Sequence, residues 1–288
     1  ERNPSGNLPS RAGDNLIWLG RYAERCEASV RILRAYHLRL AELGREDNPL
    51  LVATSAYLEP LGIDATEAVP AGLLAIIDGA VRSASQIRDR FSPDGWLALT
   101  DLQKTARRFA RTIKPGDDAT RAMTVLLRKL AGFSGLVHEN MYRFAGWRFL
   151  EIGRRLERGI QIAEIATWLC APDAPEGATE MLLEIGDSVM THRRRYGYGY
   201  GNLGAVELLI SDPLNPRSVM FQLTELLEQL KELPGGYVDG QLSAAAKAAL
   251  KLQTELAVID AADVNPDMLV GVGNGLANIS NLISEMYF

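Results

Sequence analysis

Two cysteines and three histidines in 288 residues leave little material for metal or thiol chemistry. Cys26 and Cys170 both fall inside helical patterns, which argues for a reducing compartment and against a disulfide scaffold. His37, His138 and His192 stand apart from one another, and there is neither an HExxH nor a CxxC, so no metal site is expected. No Ser/His/Asp or Cys/His arrangement is readable. No glycine-rich loop sits between a strand and a helix, so a phosphate loop is not expected either. Apolar runs stop well short of the length that crosses a bilayer. The lead segment, Glu1 to Pro9, has no apolar h-region. A surplus of positive charge is also missing. The net charge is −5, so no global basic field draws the chain to nucleic acid. Together these absences predict a cytoplasmic protein without cofactor, metal, nucleic-acid or membrane partner.

β-branched runs with period-two alternation are scarce, whereas period-3.6 patterns recur along the whole chain. Residues 1–10 are polar, contain Pro and Gly and lack Met, and read as a linker or trimmed boundary of a longer polypeptide. A long helix is expected from Arg11 to Leu43, capped by Ser10 and ended by Gly44. Its seam runs Leu16, Leu19, Ala23, Cys26, Val30, Leu33, His37, Leu40, alternating three and four apart. Shorter helices are expected over 50–61, 71–90 and 118–139, with Ser92-Pro93 opening another. A second long helix covers 145–170, and further helices 176–195, a stretch after Asn215-Pro216, 239–259, and 266–288. The predicted fold is therefore all-α, a bundle of about ten helices joined by short loops.

The chain repeats itself. Gly20-Arg21-Tyr22-Ala23-Glu24-Arg25 matches Gly153-Arg154-Arg155-Leu156-Glu157-Arg158 at an offset of 133 residues. The same offset carries Leu16 to Phe149, Leu19 to Ile152, Ala23 to Leu156, Val30 to Ala163 and Leu33 to Ala166, so the motif holds one angle to the apolar seam in both copies. A weaker match sets Arg88-Asp89-Arg90-Phe91 against Arg193-Arg194-Arg195-Tyr196 at an offset of 105, the 28-residue difference being extra sequence in the first copy around Arg45 to Pro70. This predicts a tandem duplication, 11–142 and 143–288, packed as one unit with a pseudo-two-fold relation.

Gly20 and Glu24 lie on one helix face, as do Arg21 and Arg25. The glycine lets another backbone approach, and that approach takes water from the neighbouring carboxylate. A dehydrated carboxylate needs a cation, and the planar fork of Arg suits it. Arg21, Arg25, Arg154 and Arg158 are the first candidates to pair with Glu24 and Glu157, with Arg88, Arg90, Arg193 and Arg195 behind them. Two readings of this set stand side by side. In one it is a structural Glu–Arg network. In the other it lines a polar pocket in which arginines hold a carboxylate or phosphate and a glutamate handles a proton or an amine. Gly197-Tyr-Gly-Tyr-Gly201 reads as a mobile aromatic loop or a plain linker, Arg193 to Arg195 as a solvated helix end, and Asp212-Pro-Leu-Asn-Pro-Arg-Ser218 as a turn with an N-cap.

These residues resemble the Alpha-E family of bacterial α-helical proteins, which carry a Glu-Arg motif, usually in tandem. The resemblance extends to Leu8-Pro-Ser-Arg11 with Asp14 to Arg25, Arg88 to Trp96, His138-Glu-Asn-Met141 with Gly146 to Arg158, Asp212 to Ser218, and the closing Met286-Tyr-Phe288. The tyrosine–glycine loop departs from the family pattern. The resemblance implies company with circularly permuted ATP-grasp proteins, transglutaminase-like proteins and an N-terminal-nucleophile peptidase, in a system that makes or modifies peptides. Some members are fused behind an ATP-grasp-like domain. It assigns no catalytic residue. The expected role is a non-catalytic helical partner that presents a peptide or carboxylate substrate to an ATP-grasp amide ligase. The alternative is an enzyme that uses the Glu/Arg cleft for acid–base or acyl-transfer chemistry.

Overall fold

A computed structural model describes residues 8–90, 92–199 and 201–288. Residues 1–7 of the lead segment, Phe91 of the weaker repeat match and Tyr200 of the tyrosine–glycine loop lie outside the described residues. Among the described residues there are twelve α-helices rather than about ten. They are α1 (Ser10–Leu43), α2 (Pro49–Leu58), α3 (Ala71–Ser85), α4 (Pro93–Thr112), α5 (Asp117–Asn140), α6 (Ala145–Leu169), α7 (Ala178–Ile185), α8 (Val189–Tyr196), α9 (Asn202–Val206), α10 (Val219–Glu232), α11 (Ala244–Ala257) and α12 (Pro266–Tyr287). The one sheet among the described residues is a hairpin of two-residue strands, β1 (Tyr237–Val238) and β2 (Gln241–Leu242).

Local chemistry sets the boundaries. Ser92 and Asn265 each accept a hydrogen bond from the backbone N–H three residues on and are followed by Pro at the first helical position. Gly44 ends α1 with φ of +66°, its N–H returning to the Leu40 carbonyl. Four expectations need correction. Ser10 is the first helical residue of α1, not its cap, and the Pro9 carbonyl accepts the first two bonds. The helix expected over 176–195 breaks into α7 and α8 where Asp187 adopts φ of +51°. Ser218, not Asn215, caps α10: its hydroxyl accepts from the Phe221 N–H, while Asn215 binds the Leu208 carbonyl. Residues 237–242, placed partly in a helix, form the hairpin, because Asp239 (φ 51°) and Gly240 (φ 77°) supply the paired left-handed conformations of a tight two-residue turn.

Two compact units result. One comprises the described residues through Arg21 with Tyr142–Ala174 and Ala178–Phe288; the other comprises Tyr22–Met141 with Pro175–Gly177. In the first, α6 is the central helix and packs most extensively on α12 and α10, with α11 against both of those. Its buried face includes Phe149, Ile152, Leu156, Ala163 and Ala166, the positions that the repeat aligns with the α1 seam. In the second, α4 packs between α3 and α5. The α1 seam residues Cys26, Val30, Leu33 and His37 of this unit are buried and Leu40 is half-buried.

Within the first unit the start of α1 crosses α6 at two glycines. A Cβ added to Gly20 would lie 2.2 Å from the Leu150 carbonyl oxygen, and one added to Gly153 would lie 2.2 Å from the Ile17 carbonyl oxygen. Leu150 precedes Gly153 by three residues, as Ile17 precedes Gly20. Each glycine therefore receives the carbonyl that stands one turn before the other, and the contact is reciprocal. Any side chain at either position would force the backbones apart.

Candidate functional site

The crossing brings Arg21 onto α6. Its Nε donates to Glu157 Oε2 at 2.8 Å and its Nη1 to Ser280 Oγ at 3.2 Å on α12, while the guanidinium lies 5.1 Å from the centroid of the Trp18 ring. Glu157 is 3% exposed, and its second oxygen accepts from Gln161 Nε2 at 2.9 Å, one turn along α6. Both carboxylate oxygens are thus engaged by donors, one of them charged, which offsets the cost of taking the charge out of water.

A second buried carboxylate, Glu151, lies six residues earlier on α6. Glu151, 2% exposed, accepts from Arg154 Nη1 and Arg155 Nη2, each at 2.8 Å. Burial alone would raise its pKa, but the two guanidinium groups outweigh that and hold the carboxyl below its ordinary value. Arg155 continues the chain of contacts to Gln222 Oε1 at 3.2 Å, and Gln222 Nε2 donates to the Pro216 carbonyl at 2.9 Å. Arg158 Nη1 reaches the same carbonyl at 3.3 Å. Asp212-Pro-Leu-Asn-Pro-Arg-Ser218 is therefore the far end of the network. It is folded by Asp212 Oδ1 accepting the Leu214 N–H, Asn215 Oδ1 accepting the Arg217 N–H, and the Ser218 hydroxyl donating to the Asp212 carbonyl.

Of the residues singled out in the sequence, Arg21 and Glu157 pair at the crossing, while Arg154 and Arg158 belong to a second set of contacts that runs from Glu151 to the 212–218 loop, where Arg195 also binds. Glu24 is 3% exposed and Arg25 stacks over the Tyr22 ring at 5.8 Å, both in the second unit. Arg88 and Arg90 belong to the second unit. They sit exposed on a single 3-10 turn, Arg88 over Trp96 at 4.6 Å and Arg90 beside Asp89 at 3.1 Å. Arg193 and Arg195 end α8 and are exposed, and Arg195 Nη1 donates to Asp212 Oδ2 at 2.6 Å, a bond that raises its pKa above the ordinary value.

Glu151, Arg155, Gln161 and Gln222 were not among the candidate site residues of the sequence, and Asp212 entered only as part of a turn with an N-cap and of the family resemblance. The repeat hid the first two, because offset 133 places Trp18 opposite Glu151 and Tyr22 opposite Arg155. In the first of the two matched segments Arg21 rests on an aromatic ring three residues back; in the second matched segment Arg154 rests on a carboxylate three residues back. Comparing copies picks out what they share, so it passes over an ion pair that only one of them has. The spacing of Glu151 from Arg154 and Arg155, three and four, was the available signal.

The arrangement suits holding chain segments together. Its carboxylates face guanidinium and amide donors, and the pKa of Glu151 moves away from the neutral range in which a general acid or base works. A pocket of about 330 Å³ lies elsewhere in the same unit, lined by Cys170, Leu203, Val206, Ala262 and Leu269 among others. Burial pushes the Cys170 thiol up to about 11, so at neutral pH it is protonated and a poor nucleophile. Among the described residues no group of His, Cys, Asp and Glu could hold a metal ion, and no helix is long and apolar enough to cross a membrane.

A family model matches residues 8–288, nearly the whole chain, and is described as a predicted α-helical domain with a conserved ER motif. The chain belongs to the Alpha-E family. Its Glu-Arg pairs, Glu24-Arg25 and Glu157-Arg158, carry the motif of that description, and one of them lies in the network at the crossing. The chain is similar to Uncharacterized protein Rv2567 of Mycobacterium tuberculosis (strain ATCC 25618 / H37Rv), with 28% identity over 269 residues covering 78% of this chain and 30% of the relative. Uncharacterized protein Mb2597 of Mycobacterium bovis (strain ATCC BAA-935 / AF2122/97) matches to the same extent. The chain thus spans about 30% of the length of the curated relatives it matches. No solved structure matches it.

Proposed function

We propose that this Alpha-E chain is a non-catalytic helical partner, working in the cytoplasm with a circularly permuted ATP-grasp protein or as a domain fused to one. In this role it presents a peptide or carboxylate substrate for amide ligation. The observation that carries the reading is the state of the two buried carboxylates on α6. Glu157 is saturated by Arg21 and Gln161, and Glu151 is held ionised by Arg154 and Arg155. Carboxylates so engaged brace helices, and the lowered pKa of Glu151 keeps that group away from the near-neutral range that acid–base catalysis uses. The ATP-grasp partner is what the family resemblance implies, with a transglutaminase-like protein and the peptide itself as further partners. The length of the relatives beyond the matched region accords with a chain that acts alongside other domains. The same reading takes 11–142 and 143–288 as duplicated copies, supported by the reciprocal contact of Gly20 and Gly153.

Titration calorimetry of the purified chain against the ATP-grasp protein encoded in the same genome tests the proposal. A Kd of about 1 μM or tighter is expected, together with ATP-dependent ligation that rises when the chain is added. Absence of binding overturns it. Turnover of a peptide or carboxylate substrate by the chain alone, abolished by Glu24→Gln or Glu157→Gln in a folded protein, would establish the enzyme instead.

A further inference from the structure

The chain is acidic overall, yet residues 102–116 hold five cations, Lys104, Arg107, Arg108, Arg111 and Lys114, and no carboxylate. A surface that only needs solvation intersperses its signs. The structure places this run on one ridge. The buried face of α4 is Gly95, Leu99, Leu102, Thr105 and Ala106. Lys104, Arg108 and Arg111 project from the opposite side at spacings of four and three, and Lys114 continues the line beyond the helix end. All four are exposed. Arg107 is set aside by Asp78, whose two oxygens it binds at 2.9 and 3.1 Å. The nearby Asp101 is taken by Lys129. Among the described residues, none of Lys104, Arg108, Arg111 and Lys114 has an ion-pair partner.

We propose that this ridge of α4 docks an acidic helix of a partner protein. From Lys104 to Arg111 the line runs for about 10 Å at the 1.5 Å rise of a helix, and Lys114 lies just past its end. Carboxylates spaced i, i+4, i+7 on a facing helix advance by that same rise and meet the cations in register. Arg108 and Arg111 offer planar forks that match carboxylates in a bidentate way. The ridge has little to offer the other polyanions. Phe109 is half-buried and lies under Arg108 at 5.5 Å, which leaves no exposed aromatic for bases to stack on. The apolar side chains between the cations, Phe109 and Ile113, are half-buried, and Leu97, exposed two turns before Lys104 on the same face, is by itself a small anchor for a lipid surface. The inference concerns the second unit and is independent of the Glu–Arg network, so either can fail without the other.

The test uses the whole chain and Lys104→Glu/Arg108→Glu/Arg111→Glu, with a Gln version of the triple variant should the Glu version melt early. The probes are an Ala-rich helical peptide with Glu at i, i+4 and i+7, a peptide of the same composition with its glutamates out of that register, a thymidine oligonucleotide, and vesicles of phosphatidylcholine with phosphatidylserine. The expected result is binding of the in-register peptide that weakens as salt is raised and falls by about tenfold or more in the variant. The other three probes should bind the wild type more weakly than that peptide. Tighter binding of the oligonucleotide or the vesicles, equal binding of both peptides, or no loss in a folded variant would overturn the proposal.

Discussion

Gly153→Ala tests the crossing most directly. The added methyl would sit 2.2 Å from the Ile17 carbonyl oxygen and 2.9 Å from its carbon. A relaxed carbon–oxygen contact needs about 3.2 Å or more, so the helices must separate by about 1 Å, and no flexible side chain is available to yield. Ala in place of Gly favours the helix by about 1 kcal/mol. Against that stand overpacking strain of about 1–3 kcal/mol and the loosening of the Arg21–Glu157 bond, 2.8 Å long and one turn away, which costs about 1–3 kcal/mol as a charge-assisted hydrogen bond. The net expectation is a loss of about 2–3 kcal/mol, read as a lower urea midpoint by circular dichroism. Gly20→Ala should behave alike, since its Cβ would meet the Leu150 carbonyl at 2.2 Å. Because the contact is reciprocal, opening it for one methyl makes room for the other, and the double variant should lose less than the two single losses added together. A Gly153→Ala protein as stable as the wild type, or strictly additive losses, would refute the reasoning.

Three further outcomes follow from particular contacts. Glu157→Ala leaves Arg21, 18% exposed at its side chain, beside an emptied site, and should cost about 3 kcal/mol in a urea melt; a loss below about 1 kcal/mol would mean that the pair behaves like a surface one. His37 is fully buried, its Nδ1 accepts the Gly116 N–H at 3.3 Å, and its pKa is lowered to about 4 by burial. In the unfolded chain it binds a proton near pH 6.5, so the unfolded state carries more protons between those values. Stability contributed by the neutral ring is then complete above pH 6.5 and is lost as pH falls toward 4, by about 3 kcal/mol in total. His37→Gln should flatten that part of the wild-type pH profile, and an unchanged slope between pH 6.5 and 4 would count against the assignment. Ser218→Ala removes both the cap on the Phe221 N–H and the donor to the Asp212 carbonyl, and thermal melts should register a loss of about 1–2 kcal/mol.

The sequence by itself determined the helical class, the family and the two long helices, because period-3.6 patterning and the Gly-Arg-x-x-Glu-Arg copies are carried by residue order alone. It also named the glycines at which two backbones could approach. Short-range chemistry misread in the same terms accounts for the errors: Asp239-Gly240 is a hairpin turn lying next to an Ala-rich helix, and Asp187 interrupts a continuous apolar pattern at a residue other than Gly or Pro. What only the tertiary structure decided is which cation answers which carboxylate. Arg21 passes over every acid on its own helix to reach Glu157, 136 residues away, and Arg154 holds Glu151 on its own helix. Arg88 and Arg90 are left on an exposed turn far along the chain from the crossing. An arginine's reach covers several acids at helical spacing, and the choice among them depends on which one the packing of helices has stripped of water. That dehydration belongs to the assembled crossing of α1 and α6, where Gly20 and Gly153 bring the backbones together, and no single stretch of residues carries it.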